Sequence, residues 1–326
     1  MKILKTIGIA ILLLFLIGWV LQTIYLTPHY VIRPPLKGEF INMELEHEGH
    51  IRTYHVYVPK DIQDSLDLVF VLHGSRGKGE EMRQQTAYEF DLLAENGEAI
   101  IVYPTGFENH WNDCRKTAQY SANTQNIDDI GFLKKIEQAL IEKYKIRINH
   151  IFATGLSNGG HFAYKLALEA PDWVTAVAAI AANFPTADNL DCTPVDSSIA
   201  VLVMNGTTDP INPYNGGDVS LYGILASRGT VISTDETINY WTTKANYDTE
   251  PILMPFEDKV IEDGSTVKAQ LWNSINQPPI TLFTIDNGGH TIPHPNSALP
   301  SLLGTTNRDI NAPKEIWSFF QLAKMK

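Results

Sequence analysis

Short apolar runs separated by polar, helix-patterned stretches dominate this chain. Leu68-Val69-Phe70-Val71-Leu72 and Ala99-Ile100-Ile101-Val102-Tyr103 are apolar throughout, which predicts strands buried on both faces. Ile148 to Thr154, Val174 to Ala182, Ile199 to Met204 and Pro279 to Ile285 read as further strands. Phe40 to Leu45 and Thr53 to Val58 roughly alternate around Glu48-Gly49-His50, the pattern of an antiparallel hairpin. Asp129 to Tyr144 places Ile130, Phe132, Leu133, Ile136, Leu140 and Ile141 at helical spacing. Helices are also predicted from His161 to Ala170, stopped by Pro171, from Thr234 to Ala245, and from Ala312 to Leu322. Ser233 and Glu236 have the spacing of a capping box before the second of these. Strands alternating with helices predict an α/β fold, a mostly parallel sheet with helices on both faces.

The first 26 residues break this pattern. Lys2 and Lys5 precede an apolar run from Ile7 to about Leu21, continuing weakly to Leu26. That is about 20 residues, enough for an N-terminal membrane-spanning helix. Trp19, Tyr25 and Tyr30 suit a membrane–water interface. No small-x-small cleavage site follows, so the run reads as an uncleaved signal anchor rather than a cleaved signal peptide. Either reading puts the rest of the chain outside the cytoplasm, with the lysines inside. Pro28, Pro34 and Pro35 mark residues 27–38 as a linker, leaving residues 39–326 as the α/β domain. The even cysteine count, Cys114 and Cys192, permits a disulfide in an exported domain; two separate buried thiols are the alternative. A net charge of −12 argues against nucleic acid as a partner.

The chemistry concentrates at Gly155-Leu156-Ser157-Asn158-Gly159, between the predicted strand at 148–154 and the predicted helix. Strand, Gly-x-Ser-x-Gly, helix is the nucleophile elbow of an α/β-hydrolase, whose tight turn needs small residues two before and two after the serine. A serine hydroxyl needs a base, and the base needs an orienting acid; in this fold they follow in the order Ser, Asp or Glu, His. Asp209 lies just past the strand ending at Met204, and His290 just past the one ending at Ile285. Strand carboxyl ends are where such sheets build their sites. Asp235, Asp258 and Asp263 are rival acids without so clear a preceding strand, and His294 is a rival base set off by Pro293. The oxyanion hole should use the backbone N–H of Asn158 and one from His73-Gly74-Ser75, for which Ser75 is the candidate. Trp111 is a candidate pocket wall, with a core position as the alternative. No cofactor is called for. His47, His50 and His55 sit near Glu44, Glu46 and Glu48 on what reads as a solvated hairpin, and a metal mechanism is not favoured.

Seven stretches, in order from about residue 50 to 323, together resemble the polyhydroxybutyrate depolymerase-like esterases, a family akin to feruloyl and acetylxylan esterases. They are Leu72-His73-Gly74, Tyr103 to Gly106, Trp111 to Cys114, Ile127 to Phe132, Gly155 to Gly160, Asp209 to Gly217 and Gly288 to Thr291. The resemblance implies an extracytoplasmic serine esterase with Ser157, Asp209 and His290 as its triad, acting on a small or oligomeric ester. Asn212 stands where the family often has valine, and Ile292-Pro293-His294 where it often has Trp-Pro-Gly. Both departures fall beside the site and bear on substrate preference. A peptidase or acyltransferase would use the same triad, and a surface-binding protein would need only the scaffold.

Overall fold

The computed structural model describes residue 16, residues 18–224 and residues 227–326. A π-helical turn at Gln22–Leu26 is followed by β1 (Glu39–His47), β2 (His50–Val58), β3 (Ser65–Leu72), α1 (Gly79–Gln85), α2 (Glu89–Ala94) and β4 (Ala99–Pro104). Next come α3 (Ser121–Thr124), α4 (Asp129–Tyr144), β5 (Arg147–Leu156), α5 (Asn158–Glu169), β6 (Ala176–Ile180) and β7 (Ala200–Gly206). The rest are β8 (Gly217–Asp218), β9 (Thr230–Val231), α6 (Thr234–Lys244), β10 (Ile252–Pro255), β11 (Thr266–Ser274), β12 (Gln277–Asp286) and α7 (Ala312–Ala323).

Ten strands form one sheet in the order β1-β2-β4-β3-β5-β6-β7-β12-β11-β10. The six from β4 to β12 run parallel, and an antiparallel pair is added at each side. The side chains of β3 divide as the unbroken apolar run requires. Leu68, Phe70 and Leu72 enter the core under α4, α5 and α6, while Val69 and Val71 enter the one under α1, α2 and α7. The mostly parallel sheet with helices on both faces is thus the observed architecture.

Local chemistry sets the element ends. His47 pairs with His50, so Glu48 and Gly49 form a two-residue turn. Both have positive φ, 50° and 78°, the turn whose twist suits a hairpin. Asp128 caps α4 by accepting from Gly131 N, and Ser233 and Glu236 form the capping box of α6. The helix expected from His161 begins earlier, at Asn158, directly after the elbow serine.

Of the expected N-terminal span, residues 1–15 and 17 lie outside the described residues. Among those described, no helix is long and apolar enough to cross a membrane. The expected linker, residues 27–38, lies along the domain. His29 exchanges two backbone hydrogen bonds with Ala298, at 2.8 and 2.7 Å, and Ser301 Oγ donates to Ile24 O at 2.8 Å.

Candidate active site

Ser157 stands between β5 and α5 with φ 55° and ψ −118°, a conformation that a residue with a side chain rarely adopts. Such a residue costs about 1–3 kcal/mol and persists only where its surroundings over-determine it. Here Ser157 N donates to Ile180 O, and its carbonyl accepts from His161 N, both at 2.8 Å. The flanking glycines make the turn sterically feasible. A Cβ on Gly155 would sit 2.4 Å from Gly159 C, and one on Gly159 would sit 2.5 Å from Leu72 O.

Asp209 follows β7, and its carboxylate is anchored by its own turn. Oδ1 accepts from Ile211 N at 2.7 Å and Asn212 N at 2.8 Å. Oδ2 accepts from Nδ1 of His290 at 2.7 Å. Both side chains are nearly buried, at 1% and 5% exposure, where a charge needs such partners. Glycines let the two loops meet, since a Cβ on Gly206 would lie 2.3 Å from Gly288 O. Thr208 N donates to Gly288 O at 2.9 Å across the same junction, and His290 N to Leu303 O at 2.7 Å.

Ser157 and His290 line one cavity of about 430 Å³, together with Gly74 and Ser75. An ideal Cβ on Gly74 would be 3.5 Å from Ser157 Cβ, so the loop after β3 lies against the elbow. Among the described residues, neither Ser75 N nor Asn158 N donates to a protein acceptor. Asn158 N opens α5 and so has no partner within the helix.

Trp111 does not fill its expected place in the cavity wall. It is fully buried, stacked on Phe162 at 5.2 Å, and donates Nε1–H to His73 O at 3.0 Å. It therefore props the loop that carries Ser75. His73 fastens the same loop. Its Nδ1–H donates to Gly74 O at 2.7 Å, and its Nε2 accepts from Gly106 N at 2.9 Å. Burial pushes its basicity down to about 4, so the ring is neutral, as these bonds require.

The Asn158 side chain adds a tie that the sequence reading missed. It closes two bonds on the Trp111 backbone, Oδ1 from N at 2.8 Å and Nδ2 to O at 3.0 Å. Nδ2 also donates to Asp113 Oδ2 at 2.6 Å, and Asp113 is ion-paired to buried Arg115 at 2.5 Å. Trp111 to Cys114 was a visible motif, but its use as a brace under the elbow is a tertiary fact. His161, one turn along α5, is fully buried, and burial, then Arg115 and His290, lower its basicity.

Cys114 and Cys192 are joined in a disulfide, with Cα atoms 4.9 Å apart. It ties the loop after β4 to the loop after β6. Asn212 is buried and linked to the next loop by its Oδ1, which accepts from Asn183 N at 3.2 Å.

The rival groups lie elsewhere. His294 turns Nε2 to Glu89 at 3.3 Å. Asp263 accepts from Ser265 and Arg308, and Asp235 and Asp258 are exposed. His47, Glu48 and Asp128 hold potential ligand atoms within 4.8 Å of one another, on the hairpin and the start of α4 rather than at the elbow.

No protein-family model matches the chain. Among curated proteins, "Putative esterase NocK" of Nocardia uniformis subsp. tsuyamanensis is 24% identical over 288 residues, covering 86% of this chain and 82% of that protein. "Probable feruloyl esterase C" of Aspergillus niger is 27% identical over 177 residues, covering 52% of this chain and 60% of that protein. Among solved structures, an acetyl xylan esterase from Aspergillus awamori matches with a TM-score of 0.54 and 14% identity, over 86% of this chain and 99% of that one, a likeness of fold. The strained serine elbow and this sheet order are those of an α/β-hydrolase fold, and the chain is similar over most of its length to a protein named as an esterase and over about half of it to one named as a feruloyl esterase.

Proposed function

We propose that the protein is an extracytoplasmic serine esterase that works through Ser157, His290 and Asp209. The observation that carries this reading is the 2.7 Å bond from His290 Nδ1 to Asp209, with His290 and Ser157 on the wall of one cavity. The chain is a carboxylic ester hydrolase, and its chemistry follows from the roles of these groups. Nδ1–H held by Asp209 fixes the tautomer and leaves Nε2 as the base. Ser157 Oγ attacks the ester carbonyl as Nε2 takes its proton. The backbone N–H groups of Ser75 and Asn158 receive the oxyanion. His290 returns the proton to the leaving alcohol, and an acyl group remains on Ser157. Water, deprotonated by the same Nε2, attacks that acyl-enzyme and releases the acid. No step calls for a metal or an organic cofactor.

The substrate class we infer is that of hydroxybutyrate-type oligomers or of feruloyl and acetyl esters. The support is the set of motifs from Leu72 to Thr291 and the kinship to a protein named feruloyl esterase. Placement outside the cytoplasm is supported by Lys2 and Lys5 before the apolar run, and by the disulfide, which persists in oxidising compartments. Retention by a membrane anchor at residues 1–26 is part of the same proposal. Full-length protein in the membrane fraction would support it, and a soluble, shortened chain would leave export without the anchor.

The decisive experiment compares wild type with Ser157→Ala on a panel of short acyl esters, hydroxybutyrate oligomers, and feruloyl and acetyl sugars, with peptides and acyl acceptors beside them. The expected result is ester turnover that falls on the order of 10⁴-fold in a folded variant. Near-normal turnover in Ser157→Ala would remove the serine from the mechanism. Failure of the wild type to react with a fluorophosphonate would instead favour a binding protein.

A further inference from the structure

We propose that Arg76 and Arg228 select esters that carry a carboxylate, so that the substrate is an anionic monoester rather than a neutral ester of the same shape. This rests on the esterase reading of the same cavity. Both arginines line the cavity with Ser157 and His290, and its described lining contains no aspartate or glutamate. They arrive on separate loops. Arg76 follows Ser75 with φ 64°, and its N–H donates to Asn109 O at 2.9 Å. Arg228 lies between β8 and β9, and its N–H donates to Val219 O at 2.9 Å.

Neither guanidinium has an acidic partner within 4.0 Å among the described residues. Two carboxylates lie close by, Glu108, whose side chain accepts from Ser121 Oγ, and Asp218, which accepts from Ser227 Oγ next to Arg228. The two arginines also act on one neighbour: burial lowers the basicity of His110, its bond to Glu108 O raises it, and Arg76 and Arg228 lower it against the opposing charge of Glu108, with the ring stacked on Tyr120. Tyr120 in turn meets Ser75 Oγ at 3.0 Å. Two arginines thus line the cavity beside the expected oxyanion loop of a chain whose net charge is −12. Such a chain repels anions at long range, so a local pair of cations there has a local use. A guanidinium fits a carboxylate through paired N–H donors, and a neutral ester end offers no countercharge.

The test uses two ligands of one length, monoethyl adipate and the ethyl ester of adipamic acid, as competitors of p-nitrophenyl acetate hydrolysis. Competition reads both whether or not they turn over. In the wild type the anionic ester should inhibit about tenfold more tightly than the amide, the worth of one charge-assisted hydrogen bond. That ratio should shrink in Arg76→Gln and in Arg228→Gln, approach one in the double variant, and fall with added salt. Ratios, rather than rates, cancel any general loss of activity in the variants. Equal inhibition by the two esters, no inhibition by either at millimolar concentration, or a double variant that keeps the wild-type ratio overturns the inference while p-nitrophenyl acetate is still hydrolysed through Ser157. Hydrolysis unchanged in Ser157→Ala overturns the esterase reading and the inference together.

Discussion

Gly159→Ala tests whether the elbow's packing sets the catalytic geometry. The added Cβ would lie 2.5 Å from Leu72 O and 2.7 Å from His73 O, where ordinary contact begins near 3.4 Å. Some backbone must therefore yield by about 0.9 Å at the closer contact. Neither side yields cheaply. Leu72 is at the end of β3, paired with Gly155 of β5, and Gly159 lies in the first turn of α5. The displacement falls between the loop bearing Ser75 and the turn bearing Ser157 and Asn158, the groups proposed to act together. A misplacement of about 1 Å costs on the order of 100-fold in rate, so kcat/KM should fall by about that factor. Overpacking should cost about 1–3 kcal/mol of stability, a few degrees in Tm. The assay is steady-state hydrolysis of a short acyl ester with a fluorophosphonate labelling rate and a thermal melt. Gly74→Ala is the steric control, because its Cβ would make only ordinary contacts at 3.5 Å, and its melt should match the wild type. A Gly159→Ala enzyme that labels and turns over within about threefold of wild type would refute the argument that this contact fixes the site.

Asn158→Ala leaves the Trp111 N–H and C=O and the Asp113 carboxylate short of a partner, so the urea unfolding free energy should drop by about 3 kcal/mol; a loss under about 1 kcal/mol would mean the brace contributes little. Alkylation of denatured protein without reductant should label neither Cys114 nor Cys192, and labelling of both would exclude the bridge. Its reduction should cost about 4.5 kcal/mol on the chain-entropy view, given a sequence separation of 78. His73 is buried with its pKa near 4 rather than 6.5, so the unfolded chain takes up a proton that the folded chain refuses as pH falls across that window. Stability present above pH 6.5 is thus lost toward pH 4, and His161 acts in the same direction. His73→Gln should show a smaller fall in urea midpoint between about pH 7.5 and 5 than wild type. Equal falls would mean that another group carries the effect.

Elements that bury on two faces were the most legible, because burial on both sides forces unbroken apolar runs such as Leu68–Leu72 and Ala99–Tyr103. α4 matched its predicted bounds because Asp128 caps one end and the helical spacing of its apolar residues is regular. α1 and α2 escaped notice because 7 and 6 residues give too few turns to establish a period. β11 alternates with only a modest apolar face, since Thr266, Lys268 and Gln270 separate Val267, Ala269 and Leu271. Trp111 was ambiguous because a tryptophan beside a site serves a wall or a core equally well, and its loop has no periodicity to say which way it points.

The chain by itself determined the α/β class and the turn at Ser157, because these rest on local spacing and turn chemistry, and it singled out Asp209 and His290 as the proposed acid and base by their places after strand ends. The tertiary structure decided that β4 inserts between β2 and β3, that Asp209 meets His290 through the close approach of Gly206 and Gly288, and that Trp111, Asn158 and Asp113 brace the elbow from below. It also brought Arg76 and Arg228 from loops some 150 residues apart onto one cavity wall. Contacts of that kind depend on how the sheet closes and the loops cross, and no periodicity or short motif along the chain encodes them.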